Sequence, residues 1–404
     1  MRNYQQCKLG DVVDSCLGKM LDQNKNKGIL QPYLANVNVR WGYFDVSDLP
    51  LMRFQKEEDE RYGLRYGDIV VCEGGEPGRC AIWKDQIPNM KIQKALHRIR
   101  VNANVIDFHW LFYWFLLAGR HNALEPYFTG STIKHLPGDK LKQIAISLPE
   151  LHIQQKVASI LSAYDDAIEN NNRRIKILEQ LAENLYKEWF VRMRFPGHET
   201  AEYENSLPKG WTRGKIDVFY KTSSGGTPNR SCDEFFSEGT VPWIKTGELR
   251  DSVLLDTEEK ITELAIKKSA AKRIPANSLL MAMYGVNIGQ LGITCVEATC
   301  NQACCVFKDK QDFSTINYLF QYLKSIREYL LLIGFGAAQQ NLSQDLIRRI
   351  KIIMPSSDVI SRFEKKQETL RQQIVLLSKK NISLSRQRDW LLPRLMSGKM
   401  EVLE

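Results

Sequence analysis

The sequence has no apolar run long enough to cross a bilayer, and this absence limits where the protein works. Its longest apolar runs, residues 110–118 and 329–333, fall far short of the roughly twenty residues that a transmembrane helix needs. Residues 1–9 are polar and lack the apolar core of a signal peptide. We therefore expect a cytoplasmic protein with no membrane partner.

Motifs that carry catalysis are also missing. No Gly-x-Gly-x-x-Gly turn follows a predicted strand, no Gly-Lys-Ser/Thr phosphate loop occurs, and no Asn/Asp-Pro-Pro-aromatic segment of amino-methyltransferases is present. The six histidines show no metal-ligand pairing. Residues 258–260 have the carboxylate-x-lysine pattern of some nucleases, but their acidic context is typical of a solvated turn. We expect no catalytic residue, no metal site and no cofactor bound by this chain.

Cysteines are irregularly spaced, and their number, nine, is odd. A single cluster, made of Cys295, Cys300, Cys304 and Cys305, raises the question of zinc. It contains no Cys-x-x-Cys pair and no adjacent histidine, so it favours buried reduced thiols over a zinc site. No disulfide framework is predicted.

What the sequence does contain is a moderate excess of positive charge. The 404 residues include 56 Lys+Arg and 47 Asp+Glu, which gives a net charge of +9. This balance suits a nucleic-acid partner, although many enzymes share it. The length indicates two or three domains, and a hydrophobic content of 43% is enough to form their cores.

Two segments carry the apolar spacing of coiled-coil helices, alternating steps of four and three residues. The first comprises Val157, Leu161, Tyr164, Ile168, Asn171, Ile175, Leu178, Ala182, Leu185 and Trp189. The second comprises Phe363, Gln367, Leu370, Ile374, Leu377, Asn381, Leu384, Arg388, Leu391 and Leu395. Every member of the second set lies 206 residues after its counterpart. This fixed offset indicates an internal repeat.

The segments around these helices repeat in the same order. Each half has an apolar strand, a glycine-containing turn and a return strand, then an aromatic helix and a closing strand: residues 68–83, 108–118 and 143–148 in the first half, and residues 278–294, 316–331 and 349–354 in the second. The turn at residues 73–79 is either a simple hairpin or a place where backbone approaches a partner closely. Because the frame repeats while the loops differ, we expect two domains that recognise unlike targets.

The two polar seam positions indicate how the helices pair. A buried asparagine is costly unless a polar group faces it, and only antiparallel pairing sets Asn171 against Asn381. In that register Leu185 faces Gln367, and Tyr164 stacks on Arg388. We also expect Pro393 to kink or break the last turn of the second helix.

The predicted fold class is α+β, with two similar mixed α/β domains separated by a long antiparallel two-helix coiled coil in a pseudo-two-fold repeat. The predicted segments are a first domain (1–149), a central helix (150–195), a linker (196–208), a second domain (209–355) and a C-terminal helix (356–400). The paired helices span about 50 Å at ~1.5 Å per residue. That length matches about fifteen base pairs of DNA at ~3.4 Å each.

The helix ends carry more specific sequence motifs. Residues 148–169, which open with Leu-Pro-Glu-Leu-His-Ile-Gln-Gln-Lys-Val, resemble the start of the central helix in specificity subunits of type I restriction–modification enzymes. Residues 185–199 and 388–398 resemble the closing motifs of the two helices in that family. Residues 224–230 and 241–245 also fit it, so the resemblance covers the whole chain.

The resemblance implies a non-catalytic subunit with two target-recognition domains that read a bipartite, asymmetric site on double-stranded DNA. It also implies partners: two methyltransferase subunits, which use S-adenosylmethionine to methylate adenine and dock along the helices, and restriction subunits that act as ATP-dependent translocases and endonucleases. S-adenosylmethionine, ATP and Mg would all belong to the partner subunits.

Residues that contact DNA should be cations and amide or hydroxyl side chains on loops. The candidates are Lys19, Lys25, Lys27, Arg40, Arg79 and Lys134 in the first domain, and Thr227, Asn229, Arg230, Lys245, Asn287 and Gln290 in the second. Two alternatives remain open from the sequence: a stand-alone DNA-acting enzyme, either a nuclease or a methyltransferase, and a scaffold whose domains bind proteins.

Overall fold

The computed structural model describes residues 4–22, 26–334 and 341–400. Its contacts divide the chain into two compact units, unit 1 (Met1–Ile168 with Ser383–Glu404) and unit 2 (Glu169–Ile382). Both boundaries fall inside long helices, whereas the sequence predicts boundaries at the helix ends. In the described part of the chain, no helix is both long enough and apolar enough to cross a membrane.

The first half of the chain alternates short strands with a few helices and ends in a long helix. Its elements are β1 (Gln5–Lys8), α1 (Leu9–Val12), β2 (Val13–Leu17), β3 (Ile29–Leu34), β4 (Val39–Arg40), β5 (Tyr43–Phe44), β6 (Leu51–Phe54), α2 (Asp59–Tyr62), β7 (Ile69–Cys72), β8 (Cys80–Ile82), β9 (Lys91–Ile92), β10 (Leu96–Val101), α3 (Phe108–Arg120), α4 (Gly138–Gln143), β11 (Ala145–Leu148) and α5 (Leu151–Tyr186).

The second half follows the same plan. Its elements are β12 (Tyr203–Glu204), β13 (Leu207–Pro208), β14 (Thr212–Lys215), α6 (Ile216–Phe219), β15 (Tyr220–Ser224), β16 (Val241–Ile244), β17 (Ser252–Leu254), β18 (Lys260–Ile261), α7 (Glu263–Lys268), β19 (Leu279–Ala282), β20 (Leu291–Thr294), β21 (Thr299–Cys300), β22 (Cys304–Asp309), α8 (Ile316–Ser325), α9 (Arg327–Gly334), α10 (Gln344–Arg349), β23 (Lys351–Met354) and α11 (Ser357–Met396).

The strand orders of the two units are similar. Unit 1 has a sheet in the order β2-β10-β7-β8, and unit 2 has one in the order β15-β22-β19-β20-β17. A three-stranded sheet accompanies each, β6-β3-β9 or β18-β16-β21, and in both the central strand pairs parallel with the last strand. Each unit also has a two-stranded antiparallel pair that includes its closing strand, β1 with β11 and β14 with β23. The two units therefore combine similar strand orders with different loops.

The core of unit 1 is aromatic and is completed by both long helices. Asp107 caps α3 by accepting a hydrogen bond from the backbone N–H of Trp110 at 2.9 Å. Trp110 of α3 and Leu161 of α5 are buried in one cluster with Leu392 and Leu395 of α11. The residues at the far end of the second long helix thus belong to the core of the first unit.

The core of unit 2 is completed by the other ends of the two long helices, the start of α11 and the turn that follows α5. Phe363, near the start of α11, is fully buried, and its ring lies 5.7 Å from that of Trp189 and 4.8 Å from that of Phe190. Trp189 and Phe190 lie in a π-helical turn, Lys187–Val191, that follows α5. The predicted single helix over residues 316–331 is instead two helices, since α8 ends at Ser325 and α9 begins at Arg327.

Within each unit the long helices run antiparallel. In unit 2 the side-chain amide of Asn171 donates to Asn381 Oδ1 at 2.8 Å, and Asn381 in turn donates to Asn172 Oδ1 at 2.8 Å. These are the two asparagines that the sequence places opposite each other. Gln367 donates from its side-chain amide to the carbonyl oxygen of Ala182 at 2.7 Å, so this polar seam position also has a hydrogen-bond partner.

One expectation about α11 is wrong, and one alternative of another is excluded. Arg388 does not stack on Tyr164: its guanidinium donates to carboxylates, those of Asp165 and Asp389, because a charged acceptor within reach binds it more strongly than a ring does. Pro393 does not break the helix, which continues to Met396. The chain leaves the helix at Gly398, whose φ of +70° is the left-handed conformation that favours glycine at a helix end.

Candidate nucleic-acid interface

In unit 1 two loops are joined by hydrogen bonds: the glycine turn after β7 and the short 3-10 turn after β3. Asn36 donates from its amide nitrogen to the carbonyl oxygen of Gly74 at 2.8 Å. Arg79, at the other end of the glycine turn, donates to Asn36 Oδ1 at 2.8 Å. These bonds link two loops that come from different sheets of the unit. The glycine turn therefore has a fixed position, and it is more than a hairpin connection.

The tip of this turn is also held in place. Glu76 accepts a hydrogen bond from Trp41 Nε1 at 2.6 Å and another from Arg79 at 3.1 Å. The Arg79 side chain is only 14% exposed, whereas that of Glu76 is 53% exposed. Arg79 thus holds the two loops together, and the half-exposed carboxylate of Glu76 is bonded by Trp41 and Arg79 at the tip.

Of the other candidates in the first domain, three lie at the surface. Lys134 is half exposed and pairs with Glu125 at 2.7 Å. Lys27 and Arg40 are exposed. Lys25 lies outside the described residues.

Lys19 requires a correction. Its side chain is 2% exposed, and its ammonium group donates to Glu58 and to the carbonyl oxygen of Arg53 at 3.0 Å. A buried cation is retained only when it is paired and hydrogen bonded, and this one is both. Lys19 therefore stabilises the fold and cannot reach a phosphate. We remove it from the candidate contacts.

Unit 2 gathers two of its predicted cations around one carboxylate. The Arg230 guanidinium lies over two aromatic rings, 4.8 Å from the centroid of Phe236 and 4.7 Å from that of Trp243, and it donates to Glu259. Lys245 lies 2.8 Å from the other carboxylate oxygen of Glu259. The rings and the carboxylate hold the guanidinium in a single position while its side chain remains 52% exposed.

Electrostatics within this group follow from the pairing. Hydrogen bonds from Arg230 and Lys245 lower the pKa of the Glu259 carboxyl, and the hydrogen bond to Glu259 raises the pKa of Lys245. Lys260, the third residue of the nuclease-like pattern, pairs with Asp256 at 3.1 Å. The carboxylate at position 259 is thus neutralised by two cations, whereas a catalytic metal would need several carboxylates together.

The remaining candidates of unit 2 are more strongly bound by their own fold. Asn287 donates to the carbonyl oxygens of Thr246 at 3.0 Å and Leu249 at 3.4 Å. Gln290, with its amide oriented to donate, lies 3.2 Å from Asp251 Oδ1. Thr227 and Asn229 are exposed, although Thr227 also bonds to Gln302.

In both units a side-chain amide therefore bonds the glycine turn to the 3-10 turn, but the amide comes from different residues. In unit 1 an amide of the 3-10 turn donates to the glycine turn, and in unit 2 an amide of the glycine turn donates back to the 3-10 turn. The residue type of Asn287 predicts a DNA contact, whereas in the structure its amide positions the turn. No sequence pattern points to Val286, which is fully exposed at the tip of the second turn.

Comparisons with known proteins decide the family. The sequence model of the family described as type I restriction modification DNA specificity domain matches residues 1–180 and again 208–386. The chain belongs to this family. The two matches coincide with the two copies of the repeat, and they confirm the resemblance found in the helix motifs.

Two relatives support the assignment, and one solved structure has a similar fold. The specificity subunit of the type I restriction enzyme MjaIX from Methanocaldococcus jannaschii is 27% identical over 84% of this chain and 78% of its own length. That of HindI from Haemophilus influenzae is 23% identical over 99% of this chain and 100% of its own length. The crystal structure of the type I restriction-modification S subunit from M. genitalium has a TM-score of 0.60 at 16% identity, covering 100% of this chain and 97% of that one, which shows the shared fold.

Proposed function

We propose that this chain is the non-catalytic DNA-recognition subunit of a type I restriction–modification complex. Each globular domain reads one half of a bipartite, asymmetric site on double-stranded DNA. The observation that carries this proposal is the duplication: one strand order occurs twice, and family matches cover both copies, while the loops differ in chemistry. Two copies with identical loops would suit a palindromic site, whereas two unlike sets of loops suit an asymmetric one.

The long helices, as an antiparallel coiled coil, set the spacing between the half-sites in this proposal. The paired Asn171 and Asn381 support a single register, because sliding one helix would leave a buried amide without its partner. A fixed register is what a spacer of constant length requires.

Docking of two methyltransferase subunits is the second role that we assign to the helices. On α5 the side chains of Ile177 and Leu181, one turn apart, are 55% and 50% exposed, and Leu376 of α11 is 47% exposed. Exposed charged pairs, Glu169 with Arg173 and Glu183 with Lys187, lie on the same helix. An apolar strip with charged neighbours is typical of a surface that a partner covers.

Catalysis and its cofactors belong to the partners in this proposal. The methyltransferase subunits supply S-adenosylmethionine, and the restriction subunits use ATP and Mg. Because the complex acts on chromosomal DNA, we place it in the cytoplasm. The candidate DNA contacts that we retain are Lys27, Arg40, Lys134, Thr227, Asn229, Arg230 and Lys245, together with Lys25. Arg79, Asn287 and Gln290 are bonded within their own loops, and we assign them a positioning role there.

The decisive experiment maps methylated adenine across the genome of cells that make the methyltransferase subunits with and without this chain. We expect a two-part asymmetric motif that is methylated only when the chain is present. The purified complex should then bind DNA containing that motif in preference to DNA with a scrambled half-site.

Two controls separate the alternatives. Turnover of DNA by the isolated chain would indicate a stand-alone enzyme and contradict the proposal. A complex that forms without any sequence preference would indicate a protein-binding scaffold. A motif read by one domain only would contradict the assignment of one half-site to each domain.

A further inference from the structure

The glycine turn of unit 2 carries an exposed valine, Val286, to which the proposed function assigns no role. We propose that Val286 reads a thymine by packing its side chain on the 5-methyl group in the major groove. The half-site of the second domain therefore contains a thymine at one defined position, on either strand. This inference rests on the proposed function and names what one loop recognises.

The turn that presents Val286 has a fixed backbone. Gly285 and Gly289 have φ of +89° and +75°, values in the left-handed region that glycine adopts without strain. Inside the turn, the Ile288 N–H donates to the carbonyl oxygen of Gly285 at 3.2 Å. The Gly289 N–H donates to the carbonyl oxygen of Ala282 at 2.9 Å, which joins the turn to strand β19.

Three other side chains of the turn, at positions 287, 288 and 290, are already occupied. Asn287 donates to two backbone carbonyl oxygens, Ile288 is 7% exposed within the core, and Gln290 faces the Asp251 carboxylate. Asp251 is itself bound by Arg327, whose guanidinium also donates to the carbonyl oxygen of Gly289 at 3.1 Å. What the tip of this turn offers to an approaching duplex is therefore an isopropyl group.

A cation lies on the loop to which this turn is bonded. The amide of Asn287 is bonded to the carbonyl oxygen of Thr246, the residue that directly follows Lys245. Lys245 is 27% exposed and belongs to the pair of cations that includes Arg230. One hydrogen bond thus ties the valine tip to a loop that carries a group suited to phosphate. Phosphate contacts set the orientation of a protein on DNA, and adjacent groups then meet base edges.

The chemistry of valine then selects the base. An isopropyl group neither donates nor accepts a hydrogen bond, so it gains nothing at the polar edges of guanine, adenine or cytosine. The 5-methyl group of thymine is the apolar feature of the major groove, and small apolar side chains pack on it. The equivalent turn of unit 1 carries Glu76, whose carboxylate accepts hydrogen bonds from Trp41 and Arg79, so the two domains differ at the same position of the fold.

The test uses the complex of the full chain with its methyltransferase subunits and DNA carrying the motif found by methylation mapping. Each thymine of the second half-site is replaced in turn by deoxyuridine, which keeps base pairing and removes only the methyl group. Dissociation constants are measured for the wild type and for Val286→Ala. Val218→Ala, at another exposed valine of the same unit (57%), is the matched control.

We expect one deoxyuridine to weaken wild-type binding by about three- to fivefold, the effect of leaving one methyl group unburied. Val286→Ala should bind the unmodified motif more weakly by a similar factor and should lose its response to that deoxyuridine. Val218→Ala should behave as the wild type. Because Val286 is fully exposed, its variant should keep the melting temperature of the wild type.

The inference is overturned if no thymine position responds differently in the wild type and in Val286→Ala, or if the second half-site contains no thymine. Both results are compatible with specific binding by the complex, so they leave the proposed function intact. Loss of all sequence preference in the wild-type complex would instead contradict the proposed function, and this inference with it.

Discussion

The two units share one strand order and differ in how their surface loops are held. In unit 1, neutral amide contacts and the partly buried Arg79 fix the glycine turn. In unit 2, a group of opposite charges around Glu259 orders one exposed loop, and amide-to-carbonyl bonds fix the turn itself. The difference teaches that the two units share a hydrophobic frame, whereas each set of loops is held by its own hydrogen bonds and ion pairs.

The largest expected effect tests the shared frame. Leu392→Ala removes a fully buried side chain from the core of unit 1, and Phe363→Ala does the same in unit 2. We expect losses of about 2–5 kcal/mol and about 3–5 kcal/mol in the free energy of unfolding. Hydrogen exchange should show each loss confined to its own unit. Leu376→Ala, at an exposed leucine of the same helix, is the control and should change stability by less than about 0.5 kcal/mol.

Equal loss of protection in both units after either substitution would contradict the comparison, because the molecule would then unfold as one cooperative body. If Leu392→Ala lowered hydrogen-exchange protection in unit 2, the stability of unit 2 would depend on the core of unit 1, and this result would also contradict the comparison.

A difference between the units in pH dependence follows from Glu364. This carboxylate on α11 accepts hydrogen bonds from the Tyr318 N–H at 2.7 Å and from Asn317 at 2.8 Å, at the start of α8. Burial raises its pKa to about 7 in spite of these bonds. The corresponding position of unit 1 is the buried Ala158, which cannot titrate.

Because the folded state of unit 2 holds the Glu364 proton more tightly than the unfolded state, its stability should fall as pH rises from 4.5 to about 7 and level off above that. Denaturant titrations of unit 2 between pH 4.5 and 8 measure this slope. Glu364→Gln should flatten the slope by the contribution of one proton. The buried Asp309, whose pKa burial also raises, remains in both proteins and so cancels in the comparison. An unchanged slope would show that Glu364 titrates normally.

The smallest expected effect concerns the charged group of unit 2. Arg230→Ala should weaken DNA binding by the complex and lower the dependence of log K on log salt by about one unit, since one phosphate contact is lost. Glu259→Gln should act in the opposite direction, because it frees Arg230 and Lys245 from their shared carboxylate. Arg273→Ala, which removes a cation paired with Glu263 and Glu297, is the control.

Affinity measured at several salt concentrations decides this point. If Arg230→Ala leaves both affinity and salt slope unchanged, Arg230 does not contact DNA. If Glu259→Gln weakens binding, the carboxylate orders the loop for DNA and does not compete with phosphate.

The long helices could be predicted from sequence because a seven-residue apolar spacing describes a surface that a helix must bury. Asn171 and Asn381 could even be matched, since a polar group in such a seam needs a polar partner. The break between α8 and α9 left no comparable signal, and neither did the parallel pairing of β3 with β9. A short apolar strand shows that it is buried but does not show which strand lies beside it.

The candidate contacts could be predicted only in part. Residue type identifies a cation, but it does not reveal whether a carboxylate of the same fold already binds it, as Glu58 binds Lys19. Arg388 shows the same limit, because its partners Asp165 and Asp389 outcompete the predicted ring of Tyr164. Val286 could not be predicted as a candidate contact because an apolar residue in a sequence is normally interpreted as part of a core.

The completion of unit 1 by α11 has a consequence for synthesis. Arg120 and Asp389, which pair at 3.0 Å, lie 269 positions apart, and Leu392 and Leu395 fill the same core. At a translation rate of ~5–20 residues per second, roughly ten to fifty seconds pass between synthesis of the first domain and synthesis of the end of α11, which completes its core. During that interval the first domain exposes an unfinished apolar surface at the ribosome, where chaperones act. The second domain emerges and can close its own core while the first is still open.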